Sequence, residues 1–160
     1  MNATRRLILL RHAHAESAAW GEDDAERPLS ARGIEEADSA GHWLAEQAPP
    51  ARIICSPARR TRQTLERVTA RLGVIETDYD ARVYGATPGE LIDIIDGHAG
   101  LGDLLLVGHN PGLESLVALL ATGRSSDHRG MPPAGVAVLT LPEEGELEPG
   151  VASLAAFWSP

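Results

Sequence analysis

The chain has no lysine: its 14 basic residues are all arginine, set against 23 acidic ones for a net charge of −9. Nucleic acids need a basic face, so this balance argues against nucleic-acid binding as the main task. It also means that any local gathering of arginines stands against the overall field. Cysteine is nearly absent. Cys55 alone excludes an internal disulfide framework and suits a reducing compartment. Long apolar runs are missing as well. No stretch approaches the ~20 apolar residues of a membrane span. The opening "MNATRRLILL" offers only four apolar residues before Arg11, short of the roughly 7–15 in the core of a secretory signal. The expectation is a cytoplasmic protein with neither membrane nor nucleic acid as partner.

With 160 residues and 43% hydrophobic composition, the chain suits one domain, 1–160, around a single core. Three short apolar runs read as buried strands: "RLILL" (6–10), "RIICS" (52–56) and "DLLLVGH" (103–109). Two more, "AGVAVLTL" (134–141) and "VASLAAFW" (151–158), flank the loop "PEEGELEPG". Helical patterns lie between them. The segment 30–47 has Ser30 as N-cap and Ile34, Ala37, Ala40, Trp43 and Leu44 on one face. The segment 56–73 opens on Ser56 and Pro57 and closes at Gly73. A capping box, Thr87 with Glu90, starts 87–97, and Asn110–Pro111 starts 110–123. Alternating strands and helices predict a three-layer α/β/α sandwich with a mostly parallel central sheet.

In such sheets ligands bind beyond the carboxyl ends of the strands. Three strands here end in polar or cationic groups: Arg11–His12, Ser56 followed by arginines, and His109. The segment "SPARRTRQT" is the second anomaly. Arg59, Arg60 and Arg62 occupy the first turns of a helix, where a cation opposes the helix dipole at about 0.3–1 kcal/mol each. A bound anion reverses that argument, because free N–H groups and guanidinium forks then act on it together. Arg60 is expected to face the strand ends, with Arg59 or Arg62 solvated or paired to surface carboxylates such as Glu66. A metal site built on His12, His14 and His109 is the alternative. However, the arginines would repel a divalent cation, and "RHAHAE" lacks the spacing of the helical zinc motifs. The arginines favour a phosphoryl group.

These residues resemble a known family. "LILLRHAHAE" is similar to the R-H-G or R-H-A signature of the histidine phosphatase superfamily, the phosphoglycerate mutase-like proteins. "RPLSARGIEEA", "SPARRTRQT" and "LLVGHNPGLESL" resemble the next three blocks of its short SixA-type branch, the phosphohistidine phosphatases. The four blocks run in order across most of residues 6 to 120. The resemblance implies that His12 is the nucleophile, that Arg11 and Arg60 bind the phosphoryl oxygens, and that His109 completes the pocket as a donor to them. It implies no metal or other cofactor. Arg59 and Arg62 do not match the family's arginine position, and His14 falls where the family varies.

One departure bears on the substrate. Relatives that cleave phosphoesters place a glutamate general acid after the second arginine block. Here "TDYDARVYGATPGE" offers Asp78, Asp80 and Glu90, none clearly in that position. An alkoxide leaves poorly without an acid, whereas a histidine leaving group takes up its proton near neutral pH. The expectation is therefore a phosphatase for a phosphohistidine-containing protein domain. The alternatives are a phosphatase for a small phosphomonoester and a phosphoprotein-binding module without turnover. His128, in "RSSDHRGMPPAG", is not assigned to the pocket by its spacing.

Overall fold

The computed structural model describes residues 3–160; Met1 and Asn2, the start of the segment weighed as a signal, lie outside them. Six strands form one sheet: β1 (Thr4–Arg11), β2 (Arg52–Cys55), β3 (Glu76–Tyr79), β4 (Leu104–Gly108), β5 (Val136–Pro142) and β6 (Ser153–Trp158). Their order is β3-β2-β4-β1-β5-β6. Strands β3, β2, β4 and β1 pair in parallel, and β5 and β6 add an antiparallel edge. Four helices cover the two faces: α1 (Ala31–Ala45), α2 (Arg59–Leu72), α3 (Pro88–Asp96) and α4 (Gly112–Thr122).

The unbroken apolar runs of the central strands follow from burial on both sides. Leu7, Leu9, Leu104 and Leu106 point into a core completed by α3 and α4. Their neighbours Ile8, Leu10, Leu105 and Val107 point the other way, into a core completed by α1 and α2. Strand β1 is thereby fixed in register by two independent cores, since a one-residue slip would exchange them. Among the described residues no helix is long and apolar enough to cross a membrane.

The expected helices and all five expected strands form, with three differences. Helix α2 begins at Arg59 with Ala58 as its cap and no side-chain capping bond, rather than at Ser56–Pro57. The Ser56 hydroxyl is directed toward His109 instead. In α1, Ile34 is exposed, and the buried face is Gly33, Ala37, Ala40, Gly41 and Leu44. Gly33 and Gly41 are small because their neighbours are close: a β-carbon would lie 1.9 Å from the His14 carbonyl oxygen at Gly33 and 3.1 Å from the Val68 Cα at Gly41. Strand β3 carries no apolar alternation. It is an exposed edge whose Glu76 and Asp78 pair with Arg52 on β2, a charged edge of the kind that discourages pairing with another chain.

Candidate active site

The carboxyl ends of β1, β2 and β4 bring Arg11, His12, Ser56 and His109 to one edge of the sheet. The backbone at His12 is held on both sides. Its N–H donates to the Gly108 carbonyl at 3.1 Å, and its own carbonyl accepts from the Ala134 N–H at 3.1 Å. The next N–H, that of Ala13, donates to the Thr64 hydroxyl at 3.0 Å, and that hydroxyl donates to the Arg60 carbonyl at 2.8 Å. Thr64 therefore ties the His12 segment to the turn of α2 that carries Arg60.

The His12 ring places Nδ1 2.8 Å from the Ala13 carbonyl. A carbonyl only accepts, so Nδ1 carries the proton and Nε2 is left with its lone pair. Burial pushes the His12 pKa down to about 3 against the pull of that hydrogen bond, and His109 when protonated, with the Arg60 and Arg11 charges, adds to the fall. The guanidinium charges favour the neutral imidazole, but desolvation is the larger cause.

His109 follows β4 directly, its ring centroid 5.3 Å from that of His12. Arg60 Nη2 approaches His109 Nδ1 at 3.4 Å, and His109 Nε2 lies 2.7 Å from the Ser56 hydroxyl. A guanidinium only donates, so His109 accepts at Nδ1 and carries its proton on Nε2. Burial, then the Arg60 charge, lowers its pKa to about 4. Both histidines are thus neutral at physiological pH, and the fixed positive charges are the arginines.

The two arginines are held by different means. Arg11 Nη1 donates to the Met131 carbonyl at 2.8 Å, and burial lowers its pKa despite the nearby Glu114 and Glu36 carboxylates. Asn110 donates to the same Met131 carbonyl at 2.9 Å and to Glu114 Oε2 at 3.2 Å. Arg60 is buried, while Arg59 and Arg62 are exposed. Arg60 donates through Nη1 to the Asp24 carbonyl at 2.8 Å and through Nη2 to Asp24 Oδ2 at 3.0 Å. In both arginines the buried Nε–H has no partner. An orphaned charged donor is costly, and a phosphoryl oxygen is the kind of acceptor that would satisfy it.

Two residues at this site have no signal in the sequence. Asp24 lies in a 3-10 turn (Asp24–Glu26), and Tyr84 lies 60 positions further along the chain. The Tyr84 hydroxyl donates to Asp24 Oδ2, and its ring stands edge-on to His109 at 5.3 Å and under the Arg60 guanidinium at 5.9 Å. Hydrogen bonds from Tyr84, Arg27 and Arg60 hold the Asp24 carboxyl far below the usual carboxylate range. Beside His109 a groove of about 220 Å³ opens, lined by Gly85, Ala86, Thr87, Pro88, Asn110 and Ser115 among others, without a charged side chain.

The remaining candidates are engaged elsewhere. His14 Nδ1 lies 2.7 Å from the Ser30 hydroxyl, and its N–H donates to Glu36. His128 is exposed, with Nδ1 3.9 Å from Glu114 Oε2. Asp78 pairs with Arg52, Asp80 with Arg82, and Glu90 closes the capping box with Thr87. Among the described residues no group of three or more His, Cys, Asp or Glu side chains gathers as a metal site.

Comparison with known proteins identifies the family and the fold. The chain is 38% identical to a Mycobacterium tuberculosis protein of uncharacterised function, over 92% of this chain and 98% of that one. It superposes on a SixA-type candidate phosphohistidine phosphatase from Agrobacterium tumefaciens with a TM-score of 0.85, at 30% identity and 98% coverage of both chains. The protein histidine phosphatase SixA complexed with tungstate gives a TM-score of 0.82, at 25% identity and 97% coverage of both. The model of the histidine phosphatase superfamily (branch 1) matches residues 7–91, from the strand that delivers Arg11 and His12 to the third helix. That match spans more than half of the chain and includes the strand that carries Arg11 and His12: the chain belongs to branch 1 of the histidine phosphatase superfamily.

Proposed function

We propose that this enzyme removes phosphate from phosphohistidine on a partner protein, with His12 as the covalent nucleophile, in the reducing cytoplasm suggested by its single cysteine. His12 Nε2 attacks phosphorus, the N–P bond forms, and the bond to the leaving imidazole breaks. The departing imidazole takes a proton from solvent. Water then attacks the phosphorylated His12, releasing inorganic phosphate and restoring the neutral ring, so that one difficult step becomes two easier ones.

The transferring group is loose and charge-rich, so the protein mainly positions and neutralises it. The unpartnered Nε–H groups of Arg11 and Arg60 supply that stabilisation. The His109 Nε2–H, which lies on the Ser56 hydroxyl, is the donor available to a third oxygen. The Ala13 carbonyl keeps the reacting nitrogen of His12 unprotonated and stabilises the ring once it is phosphorylated.

The observation that carries the phosphohistidine reading is the engagement of Asp78, Asp80 and Glu90 in structural pairs and a cap. No carboxylate of that segment is free to protonate an alkoxide, and a phosphoramidate does not need one. The tungstate bound by a SixA protein, an oxyanion of phosphate-like shape, is consistent with the same pocket. The test compares phosphate release from a phosphohistidyl carrier protein and from a panel of small phosphomonoesters, with chelator present and with His12→Ala alongside. Release from the carrier that depends on His12 and survives the chelator supports the proposal. A preference for one ester points to a small-molecule phosphatase, and binding of the carrier without release points to a binding module.

A further inference from the structure

The two arginines that face His12 are not bare cations. Asp24 bonds Arg60 through both its carboxylate and its backbone carbonyl. Glu114 lies one hydrogen-bonded residue from Arg11, because Asn110 bridges its carboxylate to the Met131 carbonyl that Arg11 also uses. Glu36 adds a third carboxylate on the far side of the loop, on the His14 N–H. Both histidines are neutral. Arg27 also pairs with Asp24 and Arg32 with Glu36, so four guanidinium charges around the pocket face three carboxylates and largely cancel, although the pocket must hold a phosphoryl anion. Asp24 is half-exposed, with 50% of its side chain accessible, so its field reaches the rim. The adjoining groove offers no cation to a second anionic group.

We infer that Asp24 and Glu114 are specificity-determining residues, which restrict the enzyme to substrates whose phosphoryl group is their only anion. A neutral or cationic leaving group, such as imidazole, enters the uncharged groove at no electrostatic penalty. A metabolite with a carboxylate or second phosphate near the reacting centre meets the two carboxylates, with Arg27 and Arg60 already paired to Asp24, and finds no free cation in the lining of the groove. The inference rests on His12, Arg11 and Arg60 forming the phosphoryl site, and it stands whether the scissile bond is P–N or P–O.

The test uses two near-isosteric, non-hydrolysable ligands, 4-carbamoylphenylphosphonate and 4-carboxyphenylphosphonate, titrated by calorimetry at pH 8 and low salt. At short range in a partly screened site, one such charge is worth about five- to tenfold in affinity. The wild-type protein is expected to prefer the carbamoyl ligand by about that factor, and the preference to shrink as salt is added. In Asp24→Asn and Glu114→Gln the ratio of the two affinities falls, and in the double variant it approaches one. The ratio separates charge selection from general damage to Arg60 or Arg11, which weakens both ligands together. Equal wild-type affinities, or an unchanged ratio in the double variant, would overturn the inference. Failure of both ligands and of inorganic phosphate to bind would overturn it along with the phosphoryl site. Preference for the carbamoyl ligand without phosphohistidine turnover would leave the inference standing and remove only the proposed substrate.

Discussion

Strands β1 and β4 lie side by side, and β1 carries Arg5 and Arg6 near its amino end and Arg11 at its carboxyl end. At the amino end, Arg6 donates Nε to Asp103 Oδ2 at 2.9 Å and Nη2 to the Ala48 carbonyl at 2.8 Å, while its own N–H donates to Asp103 Oδ1 at 2.7 Å. Its partner precedes β4, so the contact pins the two strand starts together. At the carboxyl end, the Arg11 side chain has one bond, to the Met131 carbonyl, and a buried Nε–H with none, while its own N–H donates to the Gly135 carbonyl at 3.1 Å. The same residue type on the same strand thus closes the fold at one end and is left open at the other. An unpartnered Nε alone does not mark the difference, since Arg5, buried next to Arg6, has Nε and Nη2 unpartnered too; what separates Arg11 from Arg6 is its place beside His12 at the carboxyl edge of the sheet.

Substitution tests that contrast most strongly. Arg11→Ala is expected to lower kcat/KM by about 10²–10³, the usual cost of removing one preorganised donor from a developing charge, with little change in Tm. Arg6→Ala should do the reverse. Losing a largely buried ion pair with its hydrogen bonds costs about 1 kcal/mol, or about 2–4 °C in Tm for a chain of this size, and leaves kcat/KM within twofold. Steady-state kinetics and thermal melts on both variants check the pair, and a large activity loss in Arg6→Ala would dissolve the distinction.

Glycines sharpen it from the backbone side. A β-carbon at Gly33 would sit 1.9 Å from the His14 carbonyl oxygen, just after the nucleophile, while at Gly89 in α3 it would meet nothing within 4 Å. Alanine is the better helix former by about 0.8–1.0 kcal/mol in a helix interior, but a backbone clash costs about 3 kcal/mol. Gly33→Ala is therefore expected to destabilise by about 2 kcal/mol or more and to displace His12, whereas Gly89→Ala is neutral to slightly stabilising. Chemical denaturation measures both.

Much of the open end was legible in the sequence. Apolar runs that end in Arg-His, Ser and His mark strands whose carboxyl ends carry chemistry, and helix-start arginines are too costly to be there for stability alone. Ser56 misled because Ser-Pro is a helix-start signal, yet the hydroxyl serves His109 and the helix starts three residues later. Strand β3 was unreadable because an exposed charged edge has no apolar period. Asp24 and Tyr84 were invisible because a contact across 60 residues of sequence leaves no local pattern. Their roles come entirely from tertiary structure.

A smaller effect is expected at Ser56. Ser56→Ala frees His109 Nε2 from its anchor without removing a charge, and a loss of about tenfold in kcat/KM follows if the hydroxyl only orients the ring. The pH dependence is subtler still. Since the His12 and His109 pKa values lie at about 3 and about 4, protonation of these rings gives kcat/KM no acid limb between pH 8 and pH 5. Folding stability behaves differently. Below the ordinary histidine pKa of about 6.5 the unfolded chain takes up protons that the folded chain refuses, so stability falls as pH drops from about 6.5 toward 3. Denaturation at a series of pH values should show a shallower decline in His12→Ala than in the wild type.

The most direct test of His12 as nucleophile is rapid-quench mixing of the enzyme with a ³²P-labelled phosphohistidyl protein, followed by mapping of the label under alkaline conditions that preserve phosphohistidine. The expected result is a transient, acid-labile phosphoryl group on the peptide containing His12, formed as fast as the substrate loses label and absent in His12→Ala. Turnover at full rate in His12→Ala, or label transferred to another residue, would contradict the covalent mechanism.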